Sequence, residues 1–328
     1  VLSIDLAGLE SIRLTMARHP FTSVSMQLLD AVGFNPTGMN GEWKREILDQ
    51  IPRSSVRVLE PWRRFTPATF AEPAGPRQHT IEECLEILRE DTGELVPALL
   101  KAVIGTDLPP LLADLEQRPT VHLRRSWEVL GKASSLTKRL WPEASSLLAR
   151  EERSISTATT VEARMALLLG RVLGSRIQGR TLYIPWTSAA PQPRDLPVFG
   201  LADRVEMVPS LAGPRTAGIM FDDDDGLRVH RITYPLPGFN DRIDHDGRVR
   251  PDLLAELVGD VRADLLRALT RPTAMSDLAA LLDLAPSLIT FHRDHLEAAG
   301  LVTRERVARK VFVSRTDRGH SLVDLMGG

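Results

Sequence analysis

Ser287, Thr290, Phe291 and Asp294 carry side chains suited to reading the edges of nucleic-acid bases. At 100° per residue they fall on one side of a helix predicted to run from Pro286 to about Ala299. Hydroxyl and carboxylate groups there can hydrogen-bond to base edges, and an aromatic ring can pack on a thymine methyl. Arg293 adds a cationic fork to the same helix. A basic run follows, in which Arg304, Arg306, Arg309 and Lys310 are the expected phosphate contacts. From Leu301 to Arg318 six basic residues stand against Glu305 and Asp317, a local balance of +4 in a chain whose total is −2. A slightly acidic chain that turns basic at one hairpin has the footprint of a DNA-contacting segment.

The elements that would hold these residues are legible on either side. Ser276 and Asp277 are placed to open a helix, with Leu278, Leu281 and Leu282 inward. Leu284-Ala285-Pro286 ends it, and Pro286 suits the first turn of the next. On that second helix the predicted inner face is Leu288, Ile289, His292, Leu296 and Ala299, and Gly300 is the left-handed stop. Two alternating segments follow, Leu301–Arg306 and Lys310–Arg315, with Val307-Ala308-Arg309 at the bend and Val302, Val311 and Val313 inward. The pattern is that of a winged helix-turn-helix.

Thr290-Phe291-His292, with Leu296-Glu297-Ala298-Ala299-Gly300-Leu301-Val302, resembles the recognition helix of ArsR-type regulators. Arg293 stands where that family usually has Leu. Thr316-x-x-Gly319, ahead of Leu322–Met326, is similar to the opening of the last helix in MarR-type winged helices. Upstream, SIRLTMARHPFTSVSMQLLDAV, RLWPEASSLLAREER, MVPSLAGP and ITYPLPG together resemble the long N-terminal domain of some actinobacterial ArsR-type regulators. The resemblance implies a transcriptional regulator but supplies no ligand.

An apolar fraction of 43% and a charged fraction of 26% are those of an ordinary globular protein. No window reaches the length of apolar residues that spans a membrane, and the first residues lack a secretory pattern, so a cytoplasmic location is expected. Cys84 is the single cysteine, which excludes an internal disulfide and a thiolate-rich metal site. Lysine occurs five times, so 36 of the 41 basic residues are Arg, a bias that points to a GC-rich genome rather than to a mechanism.

At 328 residues the chain has room for more than one domain. The expected class is α+β: a mainly helical N-terminal domain with a small antiparallel sheet over residues 1–240, a connection over 241–251, and a C-terminal winged helix-turn-helix over 252–328. Leu2–Asp5 reads as a strand, while Leu6–Met16 resists assignment. Helices are predicted at Thr22–Val32, Glu42–Gln50, Ile81–Glu90, Leu95–Ile104, Leu111–Gln117 and Leu123–Leu140, with a break at Trp141-Pro142. Helical pattern resumes at Glu143–Arg153 and Val161–Val172. Thr80 with Glu83 reads as a capping box. Period-two segments at Thr181–Ile184, Val205–Val208, Ala217–Phe221 and Leu227–Tyr234 read as the antiparallel strands. Asp252–Thr270 supplies the first helix of the C-terminal domain.

Other groupings are better explained without chemistry. Asp222–Gly226 lacks the ligand spacing of a calcium loop and reads as a solvated turn. His292, Asp294 and His295 do not share one helix face, and Asp244-His245-Asp246 has no partner pair. Phosphate-loop, dinucleotide, nucleophile-elbow and metalloprotease motifs are all missing. No metal, no cofactor and no enzymatic activity are therefore expected. The five tryptophans, with Phe65, Phe70 and Phe199, suit either an ordinary core or the lining of an effector pocket. One short reading helix per chain calls for two copies on a two-fold operator, so the expected partners are double-stranded DNA, a second copy of the chain and a small-molecule effector. The alternative is an enzyme or protein-interaction module that uses the C-terminal domain for protein contacts.

Overall fold

In a computed structural model that describes residues 1–59, 80–90, 119–185, 197–222, 227–244, 246–282, 284–307 and 310–326, helices and sheets are mixed throughout. The chain divides into two units, Val1–Arg248 and Val249–Gly328. The predicted helices at 95–104 and 111–117 lie outside the described residues.

The first unit begins with β1 (Leu2–Asp5) and β2 (Arg13–Met16), then α1 (Pro20–Ala31), α2 (Gly41–Gln50), the single turn α3 (Arg53–Val56) and α4 (Ile81–Glu90). Next come α5 (Pro119–Glu143), α6 (Ser145–Thr157), α7 (Val161–Arg171), β3 (Arg176–Gln178) and β4 (Thr181–Ile184). The long β5 (Val198–Ser210), β6 (Gly218–Asp222) and β7 (Arg228–Pro235) complete its sheet. The Thr80–Glu83 capping box forms as expected: the Glu83 amide donates to Thr80 Oγ1 at 3.1 Å and the Thr80 amide to Glu83 Oε2 at 2.8 Å. Helix α5 runs through the predicted break to Glu143, with Pro142 so close to its end that the i→i−4 bond it removes does not stop the helix short of that turn.

The small antiparallel sheet is corrected to a seven-stranded mixed one, in the order β3-β4-β1-β5-β7-β6 with β2 also on β5. β5 lies parallel to β1, β2 and β7, whereas β1–β4, β3–β4 and β6–β7 are antiparallel. Alternation is the same for both orientations, so the period-two signal carries no information on which applies. β5 is also far longer than Val205–Val208. Exposed Asp203 and Arg204, at an irregularity in the pairing with β7, interrupt its apolar pattern.

Ile4, Leu182, Phe199, Val205, Met207 and Ile232 are buried in the sheet core with Ile155 and Leu168 from the helices. Helix α1 is buried on nearly every side, and its polar groups find partners far along the chain. Ser23 Oγ accepts from the Leu211 amide at 3.0 Å, Gln27 Nε2 donates to Leu211 O at 3.0 Å, and Thr137 Oγ1 donates to Gln27 Oε1 at 2.6 Å. Asp30, 1% exposed, accepts from Thr37 Oγ1 and the Met39 amide and pairs with Lys44. Trp43 and Phe199 belong to the core; Trp62, Phe65 and Phe70 lie outside the described residues. Residues expected as a free connection pack here too, with Trp43 Nε1 donating to Gly247 O at 2.6 Å. Burial pushes the Cys84 thiol up to about 12, with Glu83 adding to the shift, so it is a packing residue without nucleophilic character.

Paired across β5 and β7, Arg231 donates to Glu206 Oε2 at 2.9 and 3.2 Å, and the His19 ring stands 3.7 Å from the same oxygen. His19, with Arg231, holds the Glu206 carboxyl at about 2, against the burial that would raise it from 4.5. A carboxyl lowered on folding adds stability above its unfolded pKa, and that share is lost as pH falls from about 4.5 toward 2. Glu206→Gln is therefore expected to cost roughly 1–3 kcal/mol at neutral pH and to flatten this part of the acid profile. Urea melts at several pH values, followed by tryptophan fluorescence, should show the variant less stable than wild type at neutral pH and the two converging as pH falls toward about 2. All five tryptophans lie in the first unit, so the signal reports on it.

The second unit holds α8 (Leu253–Val258), α9 (Asp260–Ala268), β8 (Thr273–Ala274), α10 (Met275–Leu282), α11 (Pro286–Ala298), β9 (Val302–Val307), β10 (Lys310–Arg315) and α12 (Asp317–Met326). The single helix expected over 252–270 is two, broken at Gly259, whose φ of +85° no helix accommodates. Its three-stranded sheet has the order β8-β10-β9. Leu254, Leu265, Leu266, Leu278, Ile289, Leu296, Val302 and Val313 form one core beneath it.

Candidate nucleic-acid interface

Helix α11 starts at Pro286, which follows extended Ala285, and it ends at Gly300 with φ +70°. The Leu301 amide bonds Leu296 O at 2.9 Å and the Gly300 amide bonds Glu297 O at 2.9 Å, closing the helix as a glycine-stopped end does. Thr316 ties the last helix to this corner: its Oγ1 donates to Gly300 O at 2.7 Å and accepts from the Gly319 amide at 3.1 Å. A side chain at Gly319 would collide with the Leu301 carbonyl. The Thr316-x-x-Gly319 spacing thus has a steric cause.

β9 and β10 pair from Val302↔Arg315 to Val307↔Lys310, leaving residues 308 and 309 between them. Val302 and Val313 are buried as expected, and Val311 is half-buried. Arg304, Arg306 and Lys310 are exposed on this strand pair; Arg309 lies outside the described residues. Arg304 pairs with Glu297 of α11 at 3.4 Å.

On α11 the buried residues are Ile289, Arg293 and Leu296. The expected inner face is corrected accordingly: Leu288 is 39% exposed, Ala299 is exposed and His292 is half-buried. The helix is turned toward Arg293, whose apolar stem packs as a hydrocarbon would. Arg293 is only 5% exposed, so it does not stand on the outer face with the base-reading candidates. Its Nη2 pairs with Asp294 Oδ1 at 2.6 Å, and its buried Nε has no hydrogen-bond partner among the described residues.

Ser287, Phe291 and Asp294 do share an exposed face, with Phe291 at 55% exposure. Thr290 is half-buried and its Oγ1 donates to Pro286 O at 2.9 Å, which leaves the oxygen lone pairs free to accept. The Phe291 ring is 4.4 Å from the His295 ring and stands edge-on to His292 at 5.2 Å. Among the described residues no group of three acidic, His or Cys side chains could hold an ion. Burial, then Arg262 and His295, push the His292 imidazole down, which favours its neutral form.

Between the start of α10, helix α11 and the strand pair lies a cleft of ≈ 710 Å³, lined among others by Ser276, Thr290, Arg293, Arg304, Arg306 and Lys310. The sequence reading missed this cleft. Its only trace was β8, two residues whose pairing with β10 draws the start of α10 beside the hairpin. Helix α10 begins at Met275, and Ser276 donates to Asp277 rather than capping the helix alone.

Comparison with protein-family profiles, with curated proteins and with solved structures finds no match to this chain. Function therefore rests on the geometry alone. Among the described residues no helix is long and apolar enough to cross a membrane.

Proposed function

We propose that the chain is a sequence-specific DNA-binding transcriptional regulator of ArsR-like type, with residues 252–328 as its winged helix-turn-helix. The observation that carries this reading is the exposed face of α11. Ser287, Phe291 and Asp294 face solvent there while Ile289 and Leu296 lie in the core, and a strand pair with exposed Arg304, Arg306 and Lys310 follows directly. A helix held this way can enter a major groove, and the basic strand pair can reach the flanking phosphates. A homodimer on a two-fold operator supplies the second reading helix.

In the first unit, a ≈ 380 Å³ cleft is lined by Arg18, Glu82, Lys138, Trp141 and Pro142, and with Lys138 paired to Glu82 and Arg18 to Glu152 it suits a small amphipathic effector. A second reading, a protein-interaction module, is favoured by one observation: Leu281, contrary to its expected inward position, is 65% exposed on α10, and Leu288 and Phe291 are exposed on α11 at 39% and 55%.

Titration of the full chain against its own promoter DNA at several salt concentrations tests both. On the DNA reading, Lys310→Ala weakens binding and makes the log–log salt slope shallower by roughly one unit per bound hairpin, with Arg309→Ala acting alike. Both variants should melt within about 0.5 kcal/mol of wild type. Unchanged affinity and slope would put the protein-contact reading ahead.

A further inference from the structure

Arg293 is an expensive residue where it sits. A guanidinium this deeply buried needs partners for its donors, and a buried donor left without one costs about 1–3 kcal/mol. Asp294 satisfies one edge, and Nε has no partner among the described residues. The rest of the cleft does not help. Arg304, Arg306 and Lys310 are its other charged walls, and no acidic residue stands among its described lining. Glu297 takes one edge of Arg304, while among the described residues neither Arg306 nor Lys310 has an acidic partner. Three arginine forks and a lysine converge from three elements, α11, β9 and β10, with the opening turn of α10 at the rim. Unpaired helix-start amides favour an anion at such a rim.

We propose that this cleft is a phosphate-binding site, with Arg293 as its floor and Arg304, Arg306 and Lys310 as its walls. Planar forks suit a tetrahedral oxyanion, because each presents two parallel N–H groups to two oxygens. A volume of ≈ 710 Å³ is that of a site for a drug-sized molecule, so the phosphate belongs to something larger. That is either the backbone of DNA or a free phosphorylated compound that would compete with it. Only the backbone source rests on the DNA-binding reading.

The test uses the full chain labelled with ¹⁵N-arginine, with the Nε–H signal of Arg293 assigned from Arg293→Met. Inorganic phosphate and pyrophosphate are titrated at constant ionic strength against chloride. The expected result is a saturable shift of that signal with phosphate and none with chloride. Arg293→Met should abolish phosphate binding measured by calorimetry. The Arg304→Ala/Lys310→Ala double variant, altered only at exposed positions, should weaken it at least fivefold even if Arg293→Met fails to fold. Displacement of bound phosphate by duplex DNA assigns the site to the backbone. Phosphate binding that persists in a chain which binds no DNA assigns it to a free compound, and removes the DNA reading alone. No saturable shift, or binding undiminished in the double variant, overturns the proposal and leaves Arg293 as a structural partner of Asp294.

Discussion

Arg171→Met is expected to lower the stability of the first unit by about 3–5 kcal/mol. Glu151 is 4% exposed, and Oε1 accepts both from Arg171 Nε at 2.6 Å and from Tyr234 Oη at 2.9 Å. Arg171 Nη2 also reaches Ser154 Oγ at 3.0 Å. The cluster therefore clamps α6, α7 and β7 together around one carboxylate. Burial, then Glu151, pushes the Tyr234 phenol well above its usual range, so it stays a donor. Without the arginine, a buried carboxylate keeps a single neutral hydrogen bond, and the cost is that of an uncompensated charge rather than of a lost contact.

The control is Glu151→Gln on the Arg171→Met background. A neutral amide still accepts from Tyr234 and carries no charge to strand, so much of the loss should return. Denaturant melts of the two singles and the double, read through tryptophan fluorescence, give the coupling directly. A single variant within about 1 kcal/mol of wild type would mean that the carboxylate finds water or another donor. The effect is large against a typical total stability of about 5–15 kcal/mol.

What the sequence revealed follows from how locally each feature is determined. Thr80 and Glu83 form their capping box within one turn, and Gly300 stops α11 with its own φ; both were readable. Thr181–Ile184 alternates cleanly and is β4 to the residue. The parallel neighbours of β5 are not local: Leu14 meets Val205 and Val208 meets Thr233 across long stretches of chain. Nothing in either strand names the other. Helix α1 was readable as Thr22–Val32, but its burial was not, since Ser23, Gln27 and Asp30 look like a solvated face until Leu211, Thr137 and Thr37 arrive to bond them.

The exposed face of α11 was legible because 3.6-residue periodicity separates Ser287 and Phe291 from Ile289. Arg293 was not, because a charged residue counts as polar in any pattern, whereas its stem is long enough to occupy a core position. The same residue is what made the cleft invisible. Its walls come from α10, α11 and the β9–β10 pair, elements brought together only by the sheet order β8-β10-β9.

On the proposed DNA-binding function, Phe291→Ala should discriminate most sharply between operator and random DNA. The ring is 55% exposed, yet it is not loose: His295 lies 4.4 Å away and His292 meets it edge-on. Two imidazoles thus hold an apolar surface outward, which reduces the ordering cost of pressing it against a base. Each lost base contact is worth about 1–3 kcal/mol, and a two-fold dimer counts it twice, so specific binding should weaken by roughly 2–6 kcal/mol. Non-specific binding should hold, because it comes from phosphate contacts that Phe291 does not make. For the same reason the salt slope on operator DNA should stay as in wild type, in contrast to Lys310→Ala. Fluorescence anisotropy on the promoter fragment and on a scrambled fragment, each at several salt concentrations, separates these terms. Equal losses on both fragments would remove Phe291 from base readout. Unchanged DNA binding with weakened self-association would instead assign the ring, with Leu288 and Leu281, to a protein interface, since an exposed apolar patch must then be covered by another chain.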